Sequence, residues 1–212
     1  MQKDKFLSGE GNHYFARNFL NSEEAKVRYI KNDPLIPLLL EIPEENFVFN
    51  ILEVGFGQGL RLKELQKRKN WKLNGVDPSL EAINYGKSIG INAKQGTADN
   101  LPFKDKSMDI IVFGFCLYVC DNEDLFKIAA EANRVLKKRS WIAILDFWSS
   151  SPKENIYSHD PSMNSFKNNR NLMFDWHPFF EVVSHKIIKH KSISFTDDDN
   201  EKTSVSLIRK YG

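Results

Sequence analysis

Cysteine is almost missing from this chain: two of 212 residues, Cys116 and Cys120, four positions apart inside an apolar stretch. So few exclude a disulfide-built scaffold, and with no His or Cys cluster to complete a ligand set a metal site has no support. Reduced thiols and no metal are expected. Excess charge is missing too. Thirty basic against 28 acidic side chains leave +2, so no global field draws the chain onto nucleic acid or anionic lipid. No run approaches the roughly 20 apolar residues of a membrane span, and the opening MQKDKFLSGEGN lacks the apolar core of a signal peptide. Internal repeats and low-complexity tracts are absent as well. What remains, 41% apolar and 27% charged side chains, is the composition of an ordinary globular protein of one domain. The chain is read as cytoplasmic, a monomer or homodimer, with neither membrane nor nucleic acid as partner.

Between residues 50 and 147 short apolar runs alternate with segments of helical period, the pattern of a parallel sheet flanked by helices. Strands are expected at 50–54, 72–76, 91–94, 109–113 and 141–146. Helices are expected at 59–69, 79–88 and 122–137. The last carries the stripe Leu125, Ile128, Ala129, Ala132, Val135 and Leu136, with Asp121 or Asn122 to cap it. Lys67-Arg68-Lys69 and Lys137-Lys138-Arg139 then fall at helix ends, where the dipole favours cations, and are read as solvated termini. Residues 185–195 and 202–210 alternate as two strands, joined through the polar tract 196–200 into an antiparallel hairpin. Two segments do not continue the pattern: 1–46, with one helix near 22–30 broken before Pro34, and 148–180, rich in Ser, Asn, Pro and aromatic residues. One domain, 1–212, is expected: a cap (1–46), a ligand-binding core (47–147), a substrate-side insertion (148–180) and the hairpin (181–212).

The most informative stretch is ILEVGFGQG at 51–59, a strand running into a glycine-rich turn and then a helix. Glycines at alternate positions permit positive φ and let the backbone approach a ligand, while the helix start points free N–H groups at the same place. At the end of the next strand, Asp77 stands where a carboxylate accepts hydrogen bonds from both hydroxyls of an adenosine ribose.

With these residues in place, the chain resembles the class I S-adenosylmethionine-dependent methyltransferases, within them the ubiquinone-biosynthesis type of small-molecule enzyme. EVGFGQG (53–59) looks like the family's first motif, GVDPS (75–79) its second, and GTADNLPF (96–103) the segment beside the adenine. DIIVF (109–113) looks like its fourth strand, and RVLK (134–137) before 141–146 like its fifth. The resemblance implies an α/β fold: a Rossmann-like seven-stranded sheet, mostly parallel, helices on both faces, the last strand antiparallel. It implies that 1–46 caps the cofactor. It also implies that Glu53 and the turn Gly55, Phe56, Gly57 and Gly59 hold the methionine end, Asp77 the ribose and Pro78 the adenine face. Thr97, Ala98 and Asp99 then bind the adenine edge, and Gly114 and Phe115 close the cofactor site from the fourth strand. Two positions depart from the family pattern. Thr97 replaces a usual acidic residue, a role Asp99 is expected to take, and Arg139-Ser140 replaces a usual Gly-Gly, which requires another residue there to tolerate the turn.

A methyl donor suits the motif better than a nicotinamide dinucleotide. A carboxylate at 53 repels a pyrophosphate but attracts an ammonium group, and the spacing G-x-G-x-G departs from the dinucleotide fingerprint. The implied cofactor is S-adenosylmethionine, leaving as S-adenosylhomocysteine. In-line methyl transfer needs orientation and exclusion of water more than a strong base. After the fourth strand the chain lacks the Asn-Pro-Pro-aromatic signature of nucleobase-amine methylases, and acidic magnesium ligands too. The expected acceptor is an oxygen or nitrogen of a small molecule. His13, His159 and His177 are candidate bases, since imidazole titrates near neutrality, and Tyr14, Arg17, Tyr118 and Tyr157 are candidate substrate contacts. A non-catalytic methyltransferase-like binding subunit and an NAD-linked oxidoreductase are the alternatives.

Overall fold

The computed structural model describes residues 1–43 and 48–212; the expected boundary at 46/47 lies outside them. Strands are β1 (Asn50–Val54), β2 (Lys72–Asp77), β3 (Asn92–Gln95), β4 (Met108–Gly114), β5 (Leu136–Phe147), β6 (Lys153–Ile156), β7 (Asn164–Lys167), β8 (Phe180–Lys189) and β9 (Lys202–Lys210). Helices are α1 (Gln2–Lys5), α2 (Gly11–Asn18), α3 (Glu23–Lys31), α4 (Leu35–Leu40), α5 (Leu60–Arg68), α6 (Leu80–Ser88), α7 (Leu125–Val135) and α8 (Leu172–Asp175).

Alternation along the strands builds two cores. Ile51, Ile110, Val112, Ala143 and Leu145 face α4, α5 and α6, whereas Leu52, Val54, Ile111, Phe113, Ile142 and Ile144 face α7 and α8. The sheet order is β3-β2-β1-β4-β5-β9-β8, with β9 alone running against the rest. The chain winds outward from β1 to β3 and then returns to β4. The switch point between β1 and β4 opens a crevice at the strands' carboxyl ends. The seven-stranded, mostly parallel sheet with helices on both faces is thus present. The insertion adds a separate hairpin, β6 with β7, which the sequence pattern did not show.

Three local expectations need correction. The penultimate strand is Phe180–Lys189, not 185–195, so the connection to β9 spans 190–201. Ile193 and Phe195 continue the apolar alternation, yet both are exposed because no strand lies opposite them. α7 starts at Leu125, after a tight helical turn at Asn122–Asp124, and the expected cap Asp121 instead accepts a hydrogen bond from the Gln2 amide at 2.8 Å. α7 also ends at Val135: Leu136 and Lys137 already belong to β5, where the half-exposed Lys137 ammonium pairs with Asp109 at 2.8 Å. At the expected Gly-Gly position, Arg139 itself takes the left-handed conformation, φ +55°, at a cost of about 1 kcal/mol. Ser79 caps α6 by accepting the Ala82 amide at 3.1 Å. No helix among the described residues is long and apolar enough to cross a membrane.

Candidate functional site

Between β1 and α5 the chain turns through three glycines in the left-handed region, Gly55 (φ +70°), Gly57 (φ +52°) and Gly59 (φ +65°), a path that a side chain would strain at each step. Asp77, at the tip of the neighbouring β2, reaches back over this turn. Its Oδ2 accepts the Gly57 amide at 3.1 Å and its Oδ1 the Ser79 amide at 2.9 Å. No cation pairs with it among the described residues, and burial pushes its carboxyl up to about 6, against the pull of those two amides. A carboxylate accepts about four hydrogen bonds, so Asp77 retains capacity for two neutral donors such as a vicinal diol. Phe56 points the other way. Its ring is buried over Gly75 and Gly86, where an added Cβ would stand 2.5 and 2.7 Å from ring atoms.

Beneath the turn lies a buried ionic trio. Arg61 of α5 donates through Nε to Asp33 at 2.8 Å and through Nη1 to Glu53, and each of the three is at least nine-tenths buried. Gly114 makes room for it, because a Cβ there would meet Arg61 Nη1 at 2.4 Å. Burial pushes the Glu53 carboxyl up to about 7, with Arg61 opposing, and the second oxygen, Oε2, has no hydrogen-bond partner. When all three are ionised, two carboxylates against one guanidinium leave a net negative charge under the glycine turn, a field that favours an ammonium or sulfonium ligand.

A cleft opens above. It is lined by Gly55, Gly57, Asp77, Pro78, Thr97, Ala98, Asp99 and Phe115 of the expected cofactor set, and by Tyr14 of the expected acceptor set. Glu53, Phe56, Gly59 and Gly114 lie behind the lining rather than in it. At one end of the cleft Thr97 Oγ1 donates to Asp99 Oδ1 at 2.7 Å, while Asp99 Oδ2 takes Lys3 at 2.6 Å and Lys127 at 3.0 Å. Burial alone would raise the Asp99 carboxyl; these donors bring it down to about 2. Lys3 also reaches Asp124 at 2.9 Å, and on the opposite bank Ser79 Oγ donates to Asn12 at 2.8 Å. The N-terminal helices are therefore stapled across the mouth, and Phe6, Gly11 and Phe15 form its roof.

The opposite end of the cleft is aromatic. Phe115 takes φ +54°, a strained conformation of the kind found at working sites, and its ring lies 5.3 Å from Phe147 and 5.3 Å from His190. Tyr118 stands on Phe147 at 5.0 Å and hydrogen-bonds Tyr14. Below them Asp146, wholly buried, accepts the amides of Phe147, Leu117 and Tyr118 at 2.7, 2.9 and 3.1 Å. Cys116 and Cys120 are free thiols in the cleft wall.

The three histidines singled out from sequence do not line the cleft. His13 is exposed beside Glu10 at 3.6 Å, His159 stacks edge-on to Tyr157 at 5.3 Å, and His177 packs among Trp176, Phe179 and Phe180. Arg17 and Tyr157 meet each other at 3.1 Å over Glu10, tying α2 to the insertion. His190 and Asp146 were missed. His190 fell inside the misregistered strand, which hid its place at a strand tip, whereas Asp146 was readable as the acid ending the fifth strand. Among the described residues no three His, Cys, Asp or Glu side chains gather as a metal site.

A family model for a methyltransferase domain matches residues 51–139. The uncharacterised methyltransferase YcgJ of Bacillus subtilis is 27% identical over 146 residues, 65% of this chain and 53% of that protein. The chain thus spans about half the length of this curated relative. Among solved structures, a methyltransferase in complex with the Haloferax volcanii Trm112 methyltransferase activator superposes with a TM-score of 0.68 at 18% identity, covering 100% of this chain and 98% of that one. The Burkholderia thailandensis 1,6-didemethyltoxoflavin-N1-methyltransferase, with its substrate and S-adenosylhomocysteine bound, gives 0.67 at 15% identity over 99% of this chain and 87% of that one. At such identities these two likenesses establish the fold.

Proposed function

We propose that the protein transfers a methyl group from S-adenosylmethionine to an oxygen or nitrogen of a small-molecule acceptor, a reading supported by the methyltransferase-domain family model that matches residues 51–139. The observation that carries this reading is Asp77: a buried carboxylate with no pairing cation among the described residues, poised over a left-handed glycine turn at the switch point of the sheet. The donor supplies an activated methyl on a sulfonium; the protein's part is to hold it and to exclude water. In this reading Asp77 accepts the two ribose hydroxyls and the amides of the Gly55–Gly59 turn receive the methionine carboxylate. The negative trio of Asp33, Arg61 and Glu53 favours the ammonium group from below. Pro78 and Ala98 flank the adenine. Asp99 is already held by Lys3, Lys127 and Thr97, so it orders that wall and the roof together.

On the acceptor side Tyr14, Phe115, Tyr118 and Phe147 would sandwich a planar or apolar body. Where the acceptor must lose a proton, His190 is the imidazole against the cleft wall. Burial and the neighbouring Lys191 and Lys167 lower its pKa, so it is neutral at pH 7 and able to accept one. His13, His159 and His177 would act only after movement of the segments that carry them. The free thiols fit the cytoplasm.

Thermal melting tests the cofactor. S-adenosylhomocysteine at about 100 times its Kd is expected to raise the Tm by roughly 5 °C or more, and NADH not at all; stabilisation by NADH alone defeats the reading. A pH dependence follows. The Asp77 carboxyl titrates near 6 in the free protein, and protonation removes acceptor capacity, so affinity is expected to be flat above that pH. Below it, affinity falls by up to about tenfold per unit. Calorimetry between pH 5 and 8 reads this, and a level profile would exclude Asp77 as the ribose ligand.

A further inference from the structure

After β4 the chain leaves the sheet abruptly. Phe115 still donates its amide to Leu145 on β5 at 2.7 Å, then takes φ +54°, and Leu117–Val119 follow as a single tight helical turn. The first amides of such a turn have no carbonyl inside it to bond, and Cys116, at the capping position, supplies no side-chain bond. The partner comes from another strand. Oδ2 of Asp146, at the end of β5, accepts the amides of both Leu117 and Tyr118 at 2.9 and 3.1 Å, while Oδ1 accepts the amide of Phe147 at 2.7 Å. Asp146 thus caps, from the neighbouring strand, the turn that follows β4. A wholly buried carboxylate is costly, and burial pushes this one up to about 6, against the pull of the buried Arg170, in the loop between β7 and α8, and of the three amides. Filling the space alone would favour an apolar side chain; the carboxylate answers amides that the turn leaves open.

The turn is part of the cleft wall. Phe115, Cys116, Val119 and Cys120 all line the cleft, and Cys120 Sγ donates to the Cys116 carbonyl at 3.3 Å, closing the turn on itself. From the roof Gln2 donates to the Val119 carbonyl at 2.8 Å, and the hydroxyls of Tyr118 and Tyr14 hydrogen-bond. Wall and roof therefore meet on the three residues that Asp146 caps. We propose that Asp146 is a positioning residue of the methyl-donor site: it holds the Leu117–Val119 turn so that the wall, and through Gln2 and Tyr14 the roof, stand in place before the methyl donor enters. Asp146 does not itself line the cleft, so it acts through the turn. The identity of the ligand rests on the methyl-transfer reading; the holding of the turn does not.

The two cysteines of the chain, Cys116 and Cys120, flank this turn, so a thiol reagent reports on it without any label. Burial raises the pKa of both thiols; in the wild type they are expected to react slowly with iodoacetamide, and more slowly still with S-adenosylhomocysteine bound. In Asp146→Ala thiol alkylation is expected to speed up, and S-adenosylhomocysteine affinity by calorimetry to fall, each by about tenfold or more, because two amides lose their acceptor. Asp146→Asn keeps one accepting oxygen for those amides and is expected to bring both readouts back to within about threefold of wild type. A side chain that merely stabilised the fold would lower the Tm of both variants and leave affinity and thiol rate unchanged in the folded molecules; that result overturns the proposal, as does an Asn variant no better than Ala. Should the Ala variant not fold, hydrogen exchange on the free wild type decides. The amides of Leu117 and Tyr118 are expected to exchange about 100-fold or more slowly than those of the exposed Ile193 and Phe195, and equal exchange defeats the proposal. Slow thiols and slow amides in a wild type that S-adenosylhomocysteine does not stabilise would overturn the methyl-donor reading and leave Asp146 holding the turn.

Discussion

Asp77→Ala is expected to lose S-adenosylhomocysteine affinity by about 100-fold or more while the free protein stays folded. Two hydroxyl donors to a buried carboxylate contribute roughly 1.5–3 kcal/mol each, and about 2.7 kcal/mol already corresponds to a factor of 100. The fold depends on this side chain far less. It makes no ion pair among the described residues, burial penalises its charge, and the two amides it satisfies lie at the rim of the cleft, where water can replace it. Calorimetry and melting curves on the same samples separate the two effects. Unchanged affinity rejects the ribose assignment, whereas a collapse of the fold would make Asp77 structural. Asp77→Asn should fall between, since one oxygen remains to accept.

Arg61→Met should act in the opposite sense, on stability first. Its guanidinium joins the Asp33 carboxylate, which caps α4 by accepting the Leu35 amide at 2.9 Å, to Glu53 on β1. Removing the cation leaves two buried carboxylates facing each other, a change that typically costs about 3–5 kcal/mol, or roughly 10 °C of Tm at this chain length. The deficit should depend on pH. Burial raises the Glu53 carboxyl and Arg61 opposes that rise, so without Arg61 it titrates further above its unfolded value, and the variant is least penalised at low pH and loses stability as pH rises through the folded pKa of Glu53. Melting curves at pH 5 and pH 8 should therefore show a smaller gap from wild type at pH 5. A variant within about 2 °C of wild type at both would mean that the trio does not hold β1, α4 and α5 together.

Much of this was legible in the residues because it is local. The glycine turn, Asp77 and the strand alternation each express a short-range rule. What escaped depends on partners distant in sequence. Glu53 reads as an acid beside a ligand, but Arg61, in the first turn of α5, and Asp33, before α4, enclose it. That Gly114 exists to clear Arg61 is invisible until β4 and α5 are side by side. The strand at 180–189 was displaced because 190–195 has the same alternation, and only pairing with β9 decides which run is the strand. With that register went His190, at the end of β8. Arg170 had no signal at all: an arginine between Asn169 and Asn171 in a polar loop reads as surface, and its burial arises from the packing of the insertion on the sheet.

Gln2, Lys3 and Asn12 fasten the first eighteen residues to both banks of the cleft, partly through ionic contacts of Lys3 with Asp99 and Asp124. Whatever lodges beneath that roof shares its fate with these bonds, so the order of the amino-terminal arm and the lifetime of the bound molecule are expected to be coupled. Raised ionic strength, which screens the lysine contacts, is expected to shorten that lifetime.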